Sequence, residues 1–282
     1  MQQFTNDVFT FDVTDAGSST SDETIVLLHG FPESRLSWQL VTPYLVKAGY
    51  RVLAPDQRGY SPGARPKARR AYTLDKLAGD IIALADAAGV DRFHVVGHDW
   101  GGGVAWELAT NHGDRLRTMT SLATPHPQAM VKAALTGTQG LKSWYMFLFQ
   151  LPGLPELGFT RMKGRMRKQL TASGLPEEYV DEYLELLSQP GAARGALNWY
   201  RALPFSPRGG EPVLVPTMYI YGTADFALGR KAADLTADYV KGPYRYEILE
   251  GVSHWMPEEV PQVVAELVLD HIKSVRDAGP TE

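Results

Sequence analysis

Asp99 stands in the run Phe93-His94-Val95-Val96-Gly97-His98-Asp99-Trp100-Gly101-Gly102-Gly103. The run reads as a strand, a sharp turn with glycines two residues either side of Asp99, and the start of a helix. A carboxylate standing free on such a turn is already ionised at neutral pH and can displace a leaving group from saturated carbon, giving an alkyl ester. Cleaving that ester requires water, a general base, and N–H donors for the oxyanion formed at the carbonyl. The base candidate is His254, in Gly251-Val252-Ser253-His254-Trp255, and its orienting acid is Asp225, in Gly222-Thr223-Ala224-Asp225. The donors would be the N–H groups of Trp100, next after Asp99, and of Phe31, in His29-Gly30-Phe31-Pro32, where Pro32 offers a place for a cis peptide bond. Each residue also has a structural role open to it. Asp is a favoured helix N-cap, and the other segments are of types common in ordinary turns.

These groups can meet only if the chain brings their loops to one edge. From residue 24 to about 122, short β-branched runs alternate with helical patterns, which marks a doubly wound α/β fold with a parallel sheet. The expected strands are Thr24–Leu28, Arg51–Ala54, Phe93–Val96 and Arg115–Leu122; the expected helices are Trp38–Ala48, Leu74–Ala88 and Gly101–Asn111. After Pro125-His126-Pro127 the pattern turns helical, and strand-like runs return only at Thr217–Tyr221 and Tyr244–Leu249. We therefore expect a core domain of residues 1–126 and 212–282, and a helical cap of residues 127–211. Ligands of such sheets bind beyond the carboxyl ends of the strands, so the insertion would roof the site.

Composition narrows the chemistry further. The 282 residues include no cysteine, so thiolate catalysis, cysteine-bound zinc and disulfides are all excluded. With 28 basic and 32 acidic residues and no long one-signed tail, nucleic acid is not an expected partner. The N-terminal residues have neither a basic nor an apolar leader pattern, so the expected location is cytoplasmic. The apolar stretch Trp144–Leu151 is far shorter than the run of about 20 residues a membrane helix needs, and is expected to be buried or to line a cavity. Arg161, Lys163, Arg165, Arg167 and Lys168 read as a solvated face, and Arg65, Lys67, Arg69 and Arg70 as an exposed loop. His94 and His98 straddle a strand and turn instead of sharing a helical face, so they do not read as a metal pair. His98 reads as a structural neighbour of Asp99.

Over roughly residues 20 to 275 the chain resembles the microbial and soluble epoxide hydrolases of the α/β-hydrolase superfamily. The resemblance rests on His29-Gly30-Phe31-Pro32, Asp56-Gln57-Arg58-Gly59-Tyr60-Ser61, Gly97-His98-Asp99-Trp100-Gly101-Gly102, the segments around Tyr145 and Leu197-Asn198-Trp199-Tyr200, and the Asp225 and His254 segments. It implies an α/β-hydrolase fold, whose order of nucleophile, acid and histidine matches Asp99, Asp225, His254. It also implies that Tyr145 and Tyr200 donate hydrogen bonds to an epoxide oxygen, although aromatic residues in amphipathic stretches otherwise read as core. The expected partners are a small-molecule epoxide and water, with Trp144 and Trp199 against the substrate; a homodimer is compatible with the sequence. No metal or organic cofactor is expected. The rivals are a haloalkane dehalogenase, for which Trp144 or Trp199 would hold the halide, and a non-catalytic ligand-binding protein of the same fold. A haloacid dehalogenase fits less well, because Trp100 and Gly103 stand where its arginines would be.

Overall fold

Alternate side chains of Thr24–Leu28 point to opposite faces of a sheet, and both faces are packed. Val26 and Leu28 join one apolar cluster, while Ile25 and Leu27 join another. A strand buried on both faces must be apolar throughout, which is why this segment reads as a continuous run. The computed structural model describes residues 1–137, 140, 145–206 and 211–278. Its eight strands are β1 Gln3–Asn6, β2 Phe9–Ala16, β3 Thr24–Leu28, β4 Arg51–Pro55, β5 Phe93–His98, β6 Leu116–Leu122, β7 Thr217–Gly222 and β8 Tyr244–Leu249. They lie in the order β1-β2-β4-β3-β5-β6-β7-β8. The pairs β1–β2 and β2–β4 are antiparallel and the remaining pairs are parallel.

The helices of the first half are α1 Thr42–Lys47, α2 Leu74–Ala87 and α3 Trp100–Asn111. Between β6 and β7 come α4 Pro127–Thr136, α5 Tyr145–Phe149, α6 Leu154–Thr160, α7 Lys163–Ala172, α8 Glu177–Ser188 and α9 Ala192–Ala202. After β7 follow α10 Arg230–Leu235, α11 Met256–Glu259 and α12 Pro261–Asp277. One face of the sheet is covered by α2 and α3 through Leu77, Ile81, Val104 and Leu108. The other is covered by α1 and α12 through Leu45, Val264 and Val268. Among the described residues, the chain between β6 and β7 forms helices and no strand. Along α8 the buried residues Tyr179, Val180, Tyr183, Leu184 and Leu187 recur at helical spacing on one face.

Several expectations need correction. The hairpin β1–β2 was not foreseen, because its polar alternation is weak; Phe4 and Phe11 stack across it with ring centroids 4.8 Å apart. In place of one helix over Trp38–Ala48 there is a 3-10 turn, Arg35–Trp38, followed by α1. Pro43 fits this start, since it has no N–H to donate and is tolerated in the first turn of a helix but not in its interior. The apolar stretch around α5 is not buried as a whole: Phe147 is 79% exposed, and Leu148 and Leu151 also face outward. A helix of little more than one turn can turn only one side inward, and here that side carries Phe149. Trp144 lies outside the described residues. Arg65 is not merely part of an exposed loop: it donates to the Tyr60 carbonyl at 2.6 Å, to Gln189 at 2.9 Å and to the Pro190 carbonyl at 3.2 Å.

Candidate active site

Asp99 follows β5 directly, with φ of 48°, a left-handed conformation that costs a non-glycine residue energy. Its side chain makes no capping bond to α3. The helix-cap alternative therefore fails, and the carboxylate is used elsewhere. Its Oδ1 accepts the Phe31 N–H at 2.8 Å, and its Oδ2 lies 3.5 Å from His254 Nε2. Gly30 makes this approach possible, since a Cβ there would sit 2.4 Å from the Asp99 Cβ. The Phe31-Pro32 bond is cis. Trp100 N–H, the other expected donor, makes no hydrogen bond to Asp99 among the described residues. As the first residue of α3 it has no partner within the helix, so it can serve an oxygen on Asp99.

His254 and Asp225 come from the loops after β8 and β7. His254 Nδ1 lies 2.8 Å from Asp225 Oδ2, while Asp225 Oδ1 accepts the N–H groups of Ala227 and Leu228 at 2.7 and 2.8 Å. The acid is thus fixed on both oxygens, and the imidazole is fixed by the acid. Burial opposes charge on His254, but Asp225 and then Asp99 outweigh it and hold its pKa well above the ordinary value. Burial likewise works against the Asp99 carboxylate, yet the His254 imidazole lowers its pKa below the usual one. Both shifts favour an imidazolium beside a carboxylate in the resting pair.

A second buried layer was missed by sequence reasoning, except for His98. His98 Nε2 is 2.7 Å from the His254 carbonyl, and Nδ1 is 2.7 Å from Glu33 Oε1. The Nδ1 contact is an ion-pair distance out of hydrogen-bond alignment, and a carboxylate so close favours the protonated ring. Burial disfavours that form, but the Glu33 carboxylate raises its pKa. Glu33 Oε2 in turn accepts the Gly30 N–H at 2.7 Å, so one ion pair braces the loops of Phe31 and His254 together. Only the place of Glu33 just after Pro32 hints at this.

Tyr145 on α5 and Tyr200 on α9 face each other with ring centroids 6.1 Å apart. Tyr200 packs edge-on against Trp100 at 4.8 Å and Phe31 at 5.2 Å, above Asp99. Burial raises the pKa of both phenols, and the charge of Asp99 adds to it, so both are neutral donors. Tyr145 is held near Tyr200 by ties between their helices. Gln150 Nε2 donates to the Tyr200 carbonyl at 3.0 Å, and Arg201 Nε donates to the Phe149 carbonyl at 2.8 Å. Trp199, expected against substrate, is 1% exposed and spends its indole N–H on the Arg58 carbonyl at 2.7 Å. Among the described residues, no cluster of His, Asp and Glu could hold a metal ion.

Residues 23–261 match the family described as alpha/beta hydrolase fold. The chain is 39% identical over 258 residues to the AB hydrolase superfamily protein YfhM of Bacillus subtilis, covering 89% of this chain and 90% of that one. It is 34% identical to Epoxide hydrolase A of Mycobacterium tuberculosis, covering 88% and 89% respectively. The crystal structure of Epoxide Hydrolase A from Mycobacterium thermoresistibile is similar with a TM-score of 0.78 at 28% identity, over 94% of this chain and 95% of that one.

Proposed function

We propose, for a chain that belongs to the α/β-hydrolase fold family, that it hydrolyses epoxides to vicinal diols through an ester on Asp99. The observation that carries this reading is the Asp99 carboxylate itself: it caps no helix, accepts the Phe31 N–H, and faces a histidine backed by a buried acid. The names of its relatives support the same substrate class. We read residues 127–211 as the cap over this site.

Proton bookkeeping follows from the charges. Asp99 attacks an epoxide carbon, the C–O bond breaks, and the leaving oxygen takes a proton from Tyr145 or Tyr200. An alkoxide's conjugate acid has a pKa of roughly 16, by comparison with water, so a phenol at about 10 would have some six units in its favour. The raised phenol pKa values narrow that gap. Esterification also removes one of the two charges that hold the proton on His254. The imidazolium then gives up its proton, which replaces the one the phenol lost. His254 thereby becomes a base at the moment a base is required. It takes a proton from water as the hydroxide adds to the ester carbonyl, whose oxygen is met by the N–H groups of Phe31 and Trp100. Collapse releases the diol and restores the carboxylate and imidazolium.

The test is to offer purified protein an aryl or alkyl epoxide and a matched bromoalkane, following diol and bromide. Diol should form, and Tyr145→Phe/Tyr200→Phe should nearly abolish it, because a departing oxygen needs a proton and a halide does not. Fast bromide release without diol from a range of epoxides would give the site to a dehalogenase. That rival already lacks one expected halide donor, since the Trp199 N–H is engaged. No turnover of either compound would leave the binding protein.

A further inference from the structure

The sheet ends on β8, whose outer side meets no other strand among the described residues. Every residue of β3, β4, β5 and β7 is buried, whereas every residue of β8 is partly exposed. The bonding pattern shows which backbone groups are left over. Thr217 donates its N–H to the Pro243 carbonyl at 2.8 Å, and β8 then runs parallel to β7 in unbroken register from Tyr244 to Leu249. Peptide groups alternate in direction along a strand, so Arg245, Glu247 and Leu249 bond toward β7. The N–H and C=O groups of Tyr244, Tyr246 and Ile248 point off the sheet, and among the described residues none of them has a partner.

An edge strand of this kind is a ready template for another chain, and proteins blunt it with proline, lysine, a bulge or short length. The opposite edge, β1, is only four residues long. β8 contains no proline, lysine or glycine, and its register against β7 shows no shift. It does carry two charged side chains, Arg245 and Glu247, which flank Tyr246 on one face and are joined at 2.6 Å. A single protective charge repels a copy of itself; two opposite charges in this spacing do not.

Two-fold pairing of an edge with its own copy must be antiparallel, and only registers that set outward-bonding residues against one another form a ladder. The registers of this kind that overlap most of β8 centre on Arg245, Tyr246 or Glu247. Centring on Arg245 sets that residue against its counterpart, and centring on Glu247 sets two carboxylates together. Like charges directly opposite are destabilising. Centring on Tyr246 sets Tyr246 against its counterpart, Tyr244 against Ile248, and Arg245 against Glu247. Every free N–H and C=O of the edge is then used. The Arg245–Glu247 pairs fall at the non-hydrogen-bonded positions, where side chains lie closest. Each Arg245 keeps its own Asp270 at 2.8 Å while meeting a second Glu247. On the other face, Tyr246 stacks on Tyr219 with ring centroids 5.6 Å apart, so its ring is already ordered for an aromatic pair across the edge.

We propose that β8 is a self-association edge, through which two copies of this chain pair antiparallel, centred on Tyr246, into one continuous sheet.

Sedimentation equilibrium of the full chain over a range of concentrations tests this. Wild type should reach twice the mass of one chain. Arg245→Glu and Glu247→Arg each set like charges across the edge, so each variant alone should stay at the mass of one chain. Mixed in equal amounts they set opposite charges across it, and the mixture should again reach twice that mass. Mixing cannot repair a lost fold, so rescue separates pairing from a structural effect. Amide hydrogen exchange of wild type gives an independent reading should a variant not fold. The N–H groups of Tyr244, Tyr246 and Ile248 should be protected where the dimer dominates and lose that protection on dilution, while those of Arg245, Glu247 and Leu249 should not change. The proposal is overturned if wild type stays at the mass of one chain at every concentration, if both variants still dimerise, or if mixing does not restore the dimer. Dimerisation without selective protection of Tyr244, Tyr246 and Ile248 would put the interface elsewhere and overturns it as well.

Discussion

At the scale of single residues, the site depends on one charge raising the proton affinity of another group. The His254 imidazolium exists because Asp225 and Asp99 outweigh its burial. Asp99→Ala should therefore do two things: abolish turnover and lower the His254 pKa, read from the ring resonances by NMR titration. Thermal stability should hardly change, because the Asp99 side chain caps nothing and packs little. An unchanged His254 titration would mean that the two groups are not coupled and that esterification cannot release the base. His254→Gln separates the chemical steps instead. Asp99 should still be alkylated, so the intact mass should rise by that of the epoxide, while ester cleavage slows by roughly a hundredfold or more. Loss of activity with no adduct would point to direct attack by water.

At the scale of elements, the placement of Tyr200 depends on a contact between two backbones. Gly195 of α9 lies against Gly59, and a Cβ on Gly195 would fall 2.6 Å from the Gly59 Cα and 2.7 Å from its carbonyl oxygen. The neighbouring Arg58 carbonyl accepts the Trp199 indole, and Arg65 from the same loop bonds Gln189 and Pro190 ahead of α9. Gly195→Ala must push the helix off this seat, and overpacking of this kind typically costs about 1–3 kcal/mol. We expect a melting temperature lower by a few degrees. Since misplacement by about 1 Å can cost on the order of a hundredfold, the single-turnover rate of ester formation should fall much more than the rate of ester cleavage. Equal slowing of both steps would mean that α9 does not specifically position the opening step. Gly195 drew no attention in the sequence and Gly59 stood there only as part of the segment Asp56–Ser61, because a close approach between residues so far apart leaves no local pattern. What was legible was local: the β5 turn at Asp99, the apolar runs of β3 and β7, and the loops carrying Phe31, Asp225 and His254. The brace of Glu33 and His98 was legible only on one side, since a buried carboxylate looks like any surface glutamate until its partner is placed. Helix α5 misled for a related reason: apolar residues in a row do not say which side of a short helix faces the core.

At the scale of the whole molecule, the insertion and the sheet-bearing core also meet through a buried proton. Tyr183 on α8 donates to Glu258 Oε1 on α11 at 2.7 Å, and both residues are buried. Burial, with the nearby Glu33 carboxylate, pushes the Glu258 pKa up to about 8. The unfolded chain, with an ordinary glutamate, releases that proton near 4.5. Above that pH the folded state binds more protons than the unfolded state, so stability falls as pH rises. The contribution from Glu258 is fully present below the unfolded pKa and is lost as pH rises through about 8. His98 acts in the same direction, because its pKa is also raised: its contribution is present below 6.5 and is lost above its folded value. Wild-type protein should therefore lose unfolding free energy between about pH 4.5 and about pH 8, with the loss from Glu258 limited to a few kcal/mol. Glu258→Gln keeps the shape and can accept from Tyr183 through its amide oxygen, but it cannot ionise. Its unfolding free energy, measured by urea denaturation across the same range, should fall less steeply, with the residual slope left to His98. The two proteins should differ little at the acidic end, and the variant should be the more stable at the alkaline end. Parallel curves would mean that the carboxyl of Glu258 is already ionised in the folded protein, and that the contact between α8 and α11 carries a charge instead of a proton.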